Sequence, residues 1–343
     1  MTIALDATYS LGDRLSGVGV YSREILLGLA ALRPETRFAF CYRPHRYLRS
    51  WTSAIPPNAH RRLLAEPLGP RPDLFHGLNQ RLPRFRMRRA VATFHDLFVM
   101  TGEYSTPEFR ARFTAQARDA AERADAIIAV SEFTRRQVVE LLGVEPARVR
   151  VVHHGVPALA YPRVAREKVV LSVGAVQKRK NTARLVEAFE ALDGDWRLAL
   201  AGSWGYGSQE IRARIESSPA RDRISLLGFA PPDELAAWYA RASIFAFPSL
   251  DEGFGMPVLE AMAAGTPVMA SDRSGVREVA GDAALLVDPM RTESLVEGLR
   301  KLARDEDLRK ELALRGRAWA ALFTWEKAVR ETWETYRELL PER

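Results

Sequence analysis

Apolar residues in this chain gather in short runs, separated by longer stretches in which they recur every three or four positions. The runs Ile3 to Ala7, Phe38 to Tyr42, Leu74 to His76, Ala90 to Phe94, Ala126 to Val130 and Val149 to Val152 are continuous and brief, which predicts strands of a parallel sheet buried on both faces. Helical patterns lie between several of them, notably Val20 to Leu32, Pro107 to Arg123 and Glu132 to Leu142. After Gly155 the chain carries Pro157 and Pro162 and loses its period, as a linker does. The alternation then restarts. Val169 to Val173, Arg197 to Ala201, Ile224 to Leu227, Ile244 to Phe247, Pro267 to Ala270 and Ala284 to Val287 read as strands. Helices are expected through Asn181 to Leu192, Gln209 to Glu216, Pro232 to Ala240, Pro257 to Ala264 and Thr292 to Arg304. The pattern predicts an α/β protein of two Rossmann-like domains, residues 1–157 and 168–322, joined by a linker over 158–167 and facing a central cleft. In a last helix, Trp325 to Leu340 within 323–343, Trp325, Val329, Trp333 and Tyr336 fall at helical spacing.

Chemistry concentrates in Pro248 to Val268, PSLDEGFGMPVLEAMAAGTPV. A strand should end at Pro248, and Gly253 and Gly255 permit a tight turn with close backbone approach to a ligand. Pro257 suits a first helical residue. Ligands of such units lie beyond strand C-terminal ends, where helix amides meet anions. Glu252, before the turn, can accept from two adjacent hydroxyls of a sugar ring. Glu260 is expected in the first helical turn, where its plainest use is as a carboxylate complementing the helix dipole. Glu252 could equally be a solvated loop acid.

The ordered context of the two glutamates resembles the retaining glycosyltransferases of family 4, which have the GT-B fold; their E-x7-E signature matches at Glu252 and Glu260. The resemblance extends over nearly all of the chain. It implies that Glu252 contacts the donor sugar, Glu260 the nucleotide ribose, and the amides of Gly253, Phe254, Gly255 and Met256 the sugar and phosphates. It also implies that the last helix crosses back onto the first domain.

Other strand ends gain roles on the same basis. Lys178, Arg179, Lys180 and Asn181 follow the strand that ends near Gly174, and lysine is scarce, six against forty-four arginines. Cations before a helix suit a diphosphate, and the resemblance places Lys180, with Arg179 nearby, on the donor pyrophosphate. Many relatives carry arginine after the glycine matching Gly174; here the position is Ala175, leaving Arg179 as the expected substitute. Gly17 and Gly19, in SGVGVYS, make an incomplete phosphate-binding fingerprint, expected as a loop near the donor phosphate or the acceptor. His95 ends the strand AVATFHDL, where it could donate a hydrogen bond to the sugar; His76 and Asn79 are lesser candidates. Asp193 and Asp195 flank a glycine as in a turn. No metal and no cofactor is expected, since Arg179, Lys180 and amides can stabilise a leaving diphosphate.

Length and charge change the picture less. At 343 residues, 47% apolar, the chain suits two folded domains. Cys41 is the only cysteine, expected as a core residue in a reducing compartment. The first residues lack a signal-like pattern, and no apolar run reaches membrane-spanning length, so a cytoplasmic protein is expected, peripheral to the inner face of the membrane. The whole chain has net charge +7, yet Arg43 to Arg89 holds eleven arginines against Glu66 and Asp73. Tyr47, Trp51, Leu82, Phe85 and Met87 interleave with them, as on a surface for anionic lipid; nucleic acid is not expected. The reading is a retaining hexosyltransferase, with GDP-mannose the favoured donor and a glycan or lipid-linked glycan as acceptor. A UDP-glucose enzyme, a GT-B epimerase and a silent membrane adaptor are the alternatives.

Overall fold

The computed structural model describes residues 1–66, 71–157 and 159–341. Ala158, at the head of the expected linker, residues 67–70 of the basic segment, and Glu342 and Arg343 lie outside the described residues.

The chain forms two compact units. The first takes in Met1–Thr101, Thr106–Gly155 and the chain from Phe323 onward; the second takes in Gly102–Ser105 and Val156–Leu322. In the first, strands β1 (Thr2–Asp6), β2 (Arg37–Tyr42), β3 (Ala59–Leu63), β4 (Leu74–Gly77), β5 (Arg89–Phe94), β6 (Ala126–Ala129) and β7 (Val149–Val151) form a parallel sheet in the order β3-β2-β1-β4-β5-β6-β7. The helices are α1 (Gly17–Leu32), α2 (Pro44–Ser50), α3 (Phe98–Thr101), α4 (Pro107–Arg123) and α5 (Glu132–Leu142). Both faces are buried, as continuous apolar runs require. Ile3 and Leu5 join one cluster with Tyr21, Ile25 and Leu29 of α1, while Ala4 joins the other with Phe75 and Phe94. Cys41 is fully buried in the latter, where burial pushes its thiol up.

The second unit repeats the scheme. Strands β8 (Glu167–Val173), β9 (Arg197–Ala201), β10 (Ile224–Gly228), β11 (Ala242–Phe247), β12 (Val268–Ser271) and β13 (Leu285–Val287) run parallel in the order β10-β9-β8-β11-β12-β13. Around them pack α6 (Thr182–Glu190), α7 (Ser208–Glu216), α8 (Pro232–Arg241), α9 (Met256–Ala263), α10 (Ser274–Ala280), α11 (Thr292–Arg304) and α12 (Glu306–Ala320). The order reverses between β8 and β11, and the crevice outside such a switch point is where ligands bind in open α/β sheets.

The last helix, α13 (Trp325–Leu339), belongs to the first unit. Val329, Trp333 and Tyr336 are buried on its inner face. Gly28 makes room for it on α1, since a Cβ there would stand 2.4 Å from a Val329 methyl. The Tyr336 hydroxyl meets His76 Nδ1 at 2.6 Å, and His76 Nε2 meets Thr93 Oγ1 at 2.8 Å. His76 is thus a buried tie between β4, β5 and α13, not a residue presented to substrate.

Candidate functional site

Two loops meet at the β8/β11 switch point. The first leaves β8 at Gly174, whose φ of 134° favours glycine. A side chain there would press to 3.2 Å from Lys180 Cε. The chain then makes a single tight turn, Lys178–Lys180, and Asn181 adopts the left-handed conformation (φ 60°) before α6. Asn181 ties this loop to the second one, its amide donating to the Pro248 carbonyl at 3.1 Å and the Pro289 carbonyl at 2.7 Å. Leu250 N donates to Arg179 O at 2.9 Å.

The second loop leaves β11 at Pro248 and enters α9 through Gly255 (φ 111°). Glu252 is held by the start of α10. Its N–H donates to Ser274 Oγ at 3.2 Å and its carbonyl accepts from Gly275 N at 2.9 Å. A Cβ on Gly275 would lie 2.2 Å from the Gly253 carbonyl oxygen. Ser274 itself sits at φ 56°, a conformation that strains a non-glycine residue.

The side chains converge. Arg179 Nη1 lies 2.8 Å from Glu252 Oε2, and Lys180 Nζ lies 2.5 Å from Glu252 Oε1. Arg179 also donates to the Asp251 carbonyl at 2.5 Å, and Lys180 Nζ stands 4.6 Å from the centre of the Phe247 ring. All three charged groups are largely buried, with 10 to 16% of each side chain exposed. Burial alone would raise the Glu252 carboxyl, but the charges of Arg179 and Lys180 outweigh it and hold the group at about 2. The centre is therefore an ionised carboxylate locked between two cations.

Glu260 stands five residues into α9, in the second turn, because the helix starts at Met256. The dipole reading of this residue therefore fails. Instead, Tyr239 of α8 donates its hydroxyl to Glu260 Oε2 at 2.7 Å, and Tyr161 donates to the Glu260 carbonyl at 3.1 Å. Burial raises the Glu260 carboxyl, and the Tyr239 hydroxyl opposes the rise. Of the loop residues, Phe254 is buried and Met256 half-buried. Neither Tyr239 nor Gly275 carried a sequence signal beyond an aromatic on an amphipathic helix and a glycine after a strand.

Gly17, Gly19 and His95 belong to the first unit. Helix α1 begins at Gly17, not Val20: Ser16 caps it, accepting from Gly19 N at 3.3 Å. Both glycines lie in a first helical turn, not in an open loop, and a Cβ on Gly19 would meet the Tyr9 carbonyl oxygen at 2.9 Å. His95 Nε2 donates to the Leu78 carbonyl at 3.0 Å, and its ring stacks on His154 at 5.3 Å with Tyr21 edge-on at 4.7 Å. Burial lowers it to about 4, against the pull of the Leu78 carbonyl. The imidazole is thus neutral, and its remaining nitrogen, Nδ1, is an acceptor and not the expected donor.

Asp193 and Asp195 flank Gly194 (φ 84°), and Asp195 pairs with Lys168 at 2.7 Å. Among the described residues no group of three or more His, Cys, Asp or Glu side chains is placed to hold a metal ion. None of the described helices is long and apolar enough to cross a membrane. The basic segment divides. Leu82 and Phe85 are buried, and Tyr47 and Met87 pack partly into the core. Leu82 and Phe85 therefore offer no lipid-facing surface, while Tyr47 and Met87 keep part of theirs. Arg84, Arg88 and Arg89 each have a carboxylate within 4 Å, from Asp119, Asp73 and Asp125.

Residues 15–158 match the family described as Glycosyltransferase Family 4, and residues 160–319 match Glycosyl transferases group 1. The chain is 31% identical over 284 residues to the O-antigen chain mannosyltransferase B of Escherichia coli, covering 78% of this chain and 74% of that protein. It is also 31% identical over 292 residues to a D-inositol 3-phosphate glycosyltransferase of a Nocardioides species, covering 74% of this chain and 63% of that one. Among solved structures, the sucrose-phosphate synthase of Thermosynechococcus elongatus superposes with a TM-score of 0.79 at 23% identity, over 98% of each chain. Anabaena HepE, solved with UDP and glucose, superposes with a TM-score of 0.75 at 18% identity, over 98% and 99%. At these identities the two structures speak to fold alone.

Proposed function

The chain belongs to glycosyltransferase family 4 with the GT-B fold, and from that premise we propose that it is a retaining hexosyltransferase acting on a nucleotide diphosphate sugar. The favoured donor is GDP-mannose, supported by the mannosyltransferases among its relatives. The acceptor is a hydroxyl of a glycan or lipid-linked glycan in polysaccharide synthesis. A cytoplasmic site of action fits the buried free thiol of Cys41.

The observation that carries the reading is the Arg179–Glu252–Lys180 cluster at the β8/β11 switch point. As the bond from C1 of the sugar to the diphosphate oxygen breaks, the electron pair goes to that oxygen. Arg179 and Lys180, with the amides of the Gly253 to Met256 loop, stabilise the charge that develops. Both cations are already fixed by Glu252, so little reorganisation is needed when the diphosphate arrives. Glu252, kept ionised, accepts from sugar hydroxyls, and Glu260 accepts from the ribose. His95 offers its Nδ1 to a sugar hydroxyl. The acceptor oxygen bonds to C1 on the face the diphosphate leaves, and its proton passes to the departing phosphate. No metal is needed in this scheme.

A thermal-shift panel of nucleotides and nucleotide sugars tests the donor class, because a ligand that binds only the folded state raises the midpoint in step with its affinity. GDP and GDP-mannose are expected to give the largest shifts. A larger shift with UDP-glucose would replace the donor, and no shift with any nucleotide would overturn the reading.

A further inference from the structure

We propose that the α2–β3 edge of the first unit is a docking surface for a bilayer carrying anionic phospholipid. The segment from Thr36 to Ala65 contains six arginines, two histidines and no acid. It folds as β2, α2 and β3, the last being the edge strand of the sheet, so this acid-free strip forms one border of the unit. The core takes the inner side of α2, through Tyr47 and the buried Ser50. That leaves His45, Leu48 and Arg49 on its outward side, all exposed.

Large apolar groups stand in this strip without cover. Leu48 is 81% exposed and Trp51 62%. On β3, Arg61 lays its guanidinium over the Trp51 ring, 4.9 Å from its centre, and donates to the Ser50 carbonyl at 3.1 Å. This ties the indole to the sheet edge. Leu63, two residues on, shares the strand face of Arg61 and is also exposed. The result is an indole and two leucines beside Arg46, Arg49 and Arg61, while Arg43, at the base of α2, pairs inward with Asp6 at 3.5 Å.

Charge and shape together select the partner. A soluble anionic ligand would satisfy the arginines and leave Leu48 and Trp51 in water. The interfacial layer of a bilayer supplies both a sheet of phosphates and an apolar boundary, where tryptophan is favoured. The second arginine run, Arg84 to Arg89, lacks this character: its apolar neighbours Leu82 and Phe85 face the core, and Arg84, Arg88 and Arg89 have acids beside them. The surface is independent of the donor site and of the identity of the sugar.

Sedimentation of the full chain with vesicles of phosphatidylcholine, alone or mixed with phosphatidylglycerol, tests the assignment. Binding is expected only to the anionic vesicles, weakening as salt is added, with a blue shift of tryptophan emission that Trp51→Phe removes. Arg46→Gln and Arg49→Gln should each weaken binding about fivefold, the effect of one basic residue at an anionic surface. Leu48→Ser with Trp51→Ser should abolish the emission shift, whereas replacing Arg84, Arg86, Arg88 and Arg89 together by Gln should leave vesicle binding in place. Absence of binding to anionic vesicles, or binding untouched by both the arginine and the apolar variants, would overturn the proposal. So would a dimer in solution that Leu48→Ser with Trp51→Ser dissociates, since the patch would then belong to a second copy of the chain.

Discussion

Tyr239, itself fully buried, donates its hydroxyl across the gap between α8 and α9 to Oε2 of the half-buried Glu260, at 2.7 Å. The bond fixes the carboxylate's rotation and leaves Oε1, the atom proposed to accept from a ribose hydroxyl, without a hydrogen-bond partner among the described residues. Tyr239→Phe should raise the KM for the nucleotide sugar by roughly tenfold with little change in kcat, the worth of one hydrogen bond to a charged group. A merely structural role would weaken all nucleotides alike. The expected signature is selective: the variant loses preference for a ribonucleotide over its dideoxy counterpart, as Glu260→Ala should. If Glu260→Ala keeps that preference, the ribose role of Glu260 falls.

Glu252 is bound on both oxygens by cations, so its removal affects more than sugar binding. Glu252→Ala takes from the buried Arg179 and Lys180 the carboxylate they share, at an expected cost of about 3 to 5 kcal/mol. Glu252→Gln keeps the shape, and turnover is the measurement of interest there. It should fall by about a hundredfold or more, as should that of Lys180→Ala, which removes a stabiliser of the leaving diphosphate. Added nucleoside diphosphate should restore much of the lost thermal stability in the glutamate variants by offering the two cations another anion. Near-normal turnover in Lys180→Ala would remove its assigned role.

Three buried histidines make the first unit acid-sensitive. Burial holds His76 at about 3 and His95 at about 4, and lowers His154 as well, from the ordinary 6.5. Below about pH 6.5 the unfolded chain takes up protons at these rings before the folded one does, so stability is present above that pH and drains away as pH falls toward 4. Each ring contributes up to ~1.4 kcal/mol per pH unit in that window. Glu252, with its lowered carboxyl, adds a further loss only below about pH 4.5. The melting midpoint should fall steadily between pH 6.5 and 4.5, less steeply in His76→Gln. A flat midpoint across that range would contradict the assignment.

Much of this was legible from one chain because central parallel strands are buried on both faces and leave continuous apolar runs; Ala242–Phe247 is buried at every position. Edge and peripheral elements are not so marked. Strand β3, AHRRL, has no apolar alternation, and α12 buries only Leu312, Gly316 and Ala320 in a largely charged sequence. Arg179, Lys180 and Glu252 could be singled out by their place after strands. Their mutual ion pairs could not, since they join loops remote in sequence. Leu82 and Phe85 were misplaced for the converse reason: alternation with arginines says nothing about which way an irregular segment turns its side chains.

If Arg179, Lys180 and loop amides carry the leaving-group charge, a divalent ion is redundant. Transfer assayed after exhaustive chelation should proceed at an unchanged rate. Activity that vanishes with chelator and returns with manganese would assign the charge to a metal.

Gly275 supplies the most stringent test of how the site is assembled. It touches no predicted ligand through a side chain, yet the Glu252 carbonyl accepts its N–H, and a Cβ there would lie 2.2 Å from the Gly253 oxygen and 2.5 Å from its carbon. Those atoms are backbone and cannot swing aside. Gly275→Ala must therefore push the Gly253 loop away from α10, carrying the Glu252 carboxylate and the amides before α9 with it. A displacement near 1 Å in a catalytic constellation costs on the order of a hundredfold, so kcat/KM should fall by about that factor. The rest of the fold should survive, because α10 is short and its packing side chains, Val276, Val279 and Ala280, are unchanged. Circular dichroism and the melting transition of the variant should thus stay close to the parent while nucleotide-induced stabilisation shrinks. Full activity in Gly275→Ala would show that the loop tolerates movement, and that the clamp from α10 does not position Glu252.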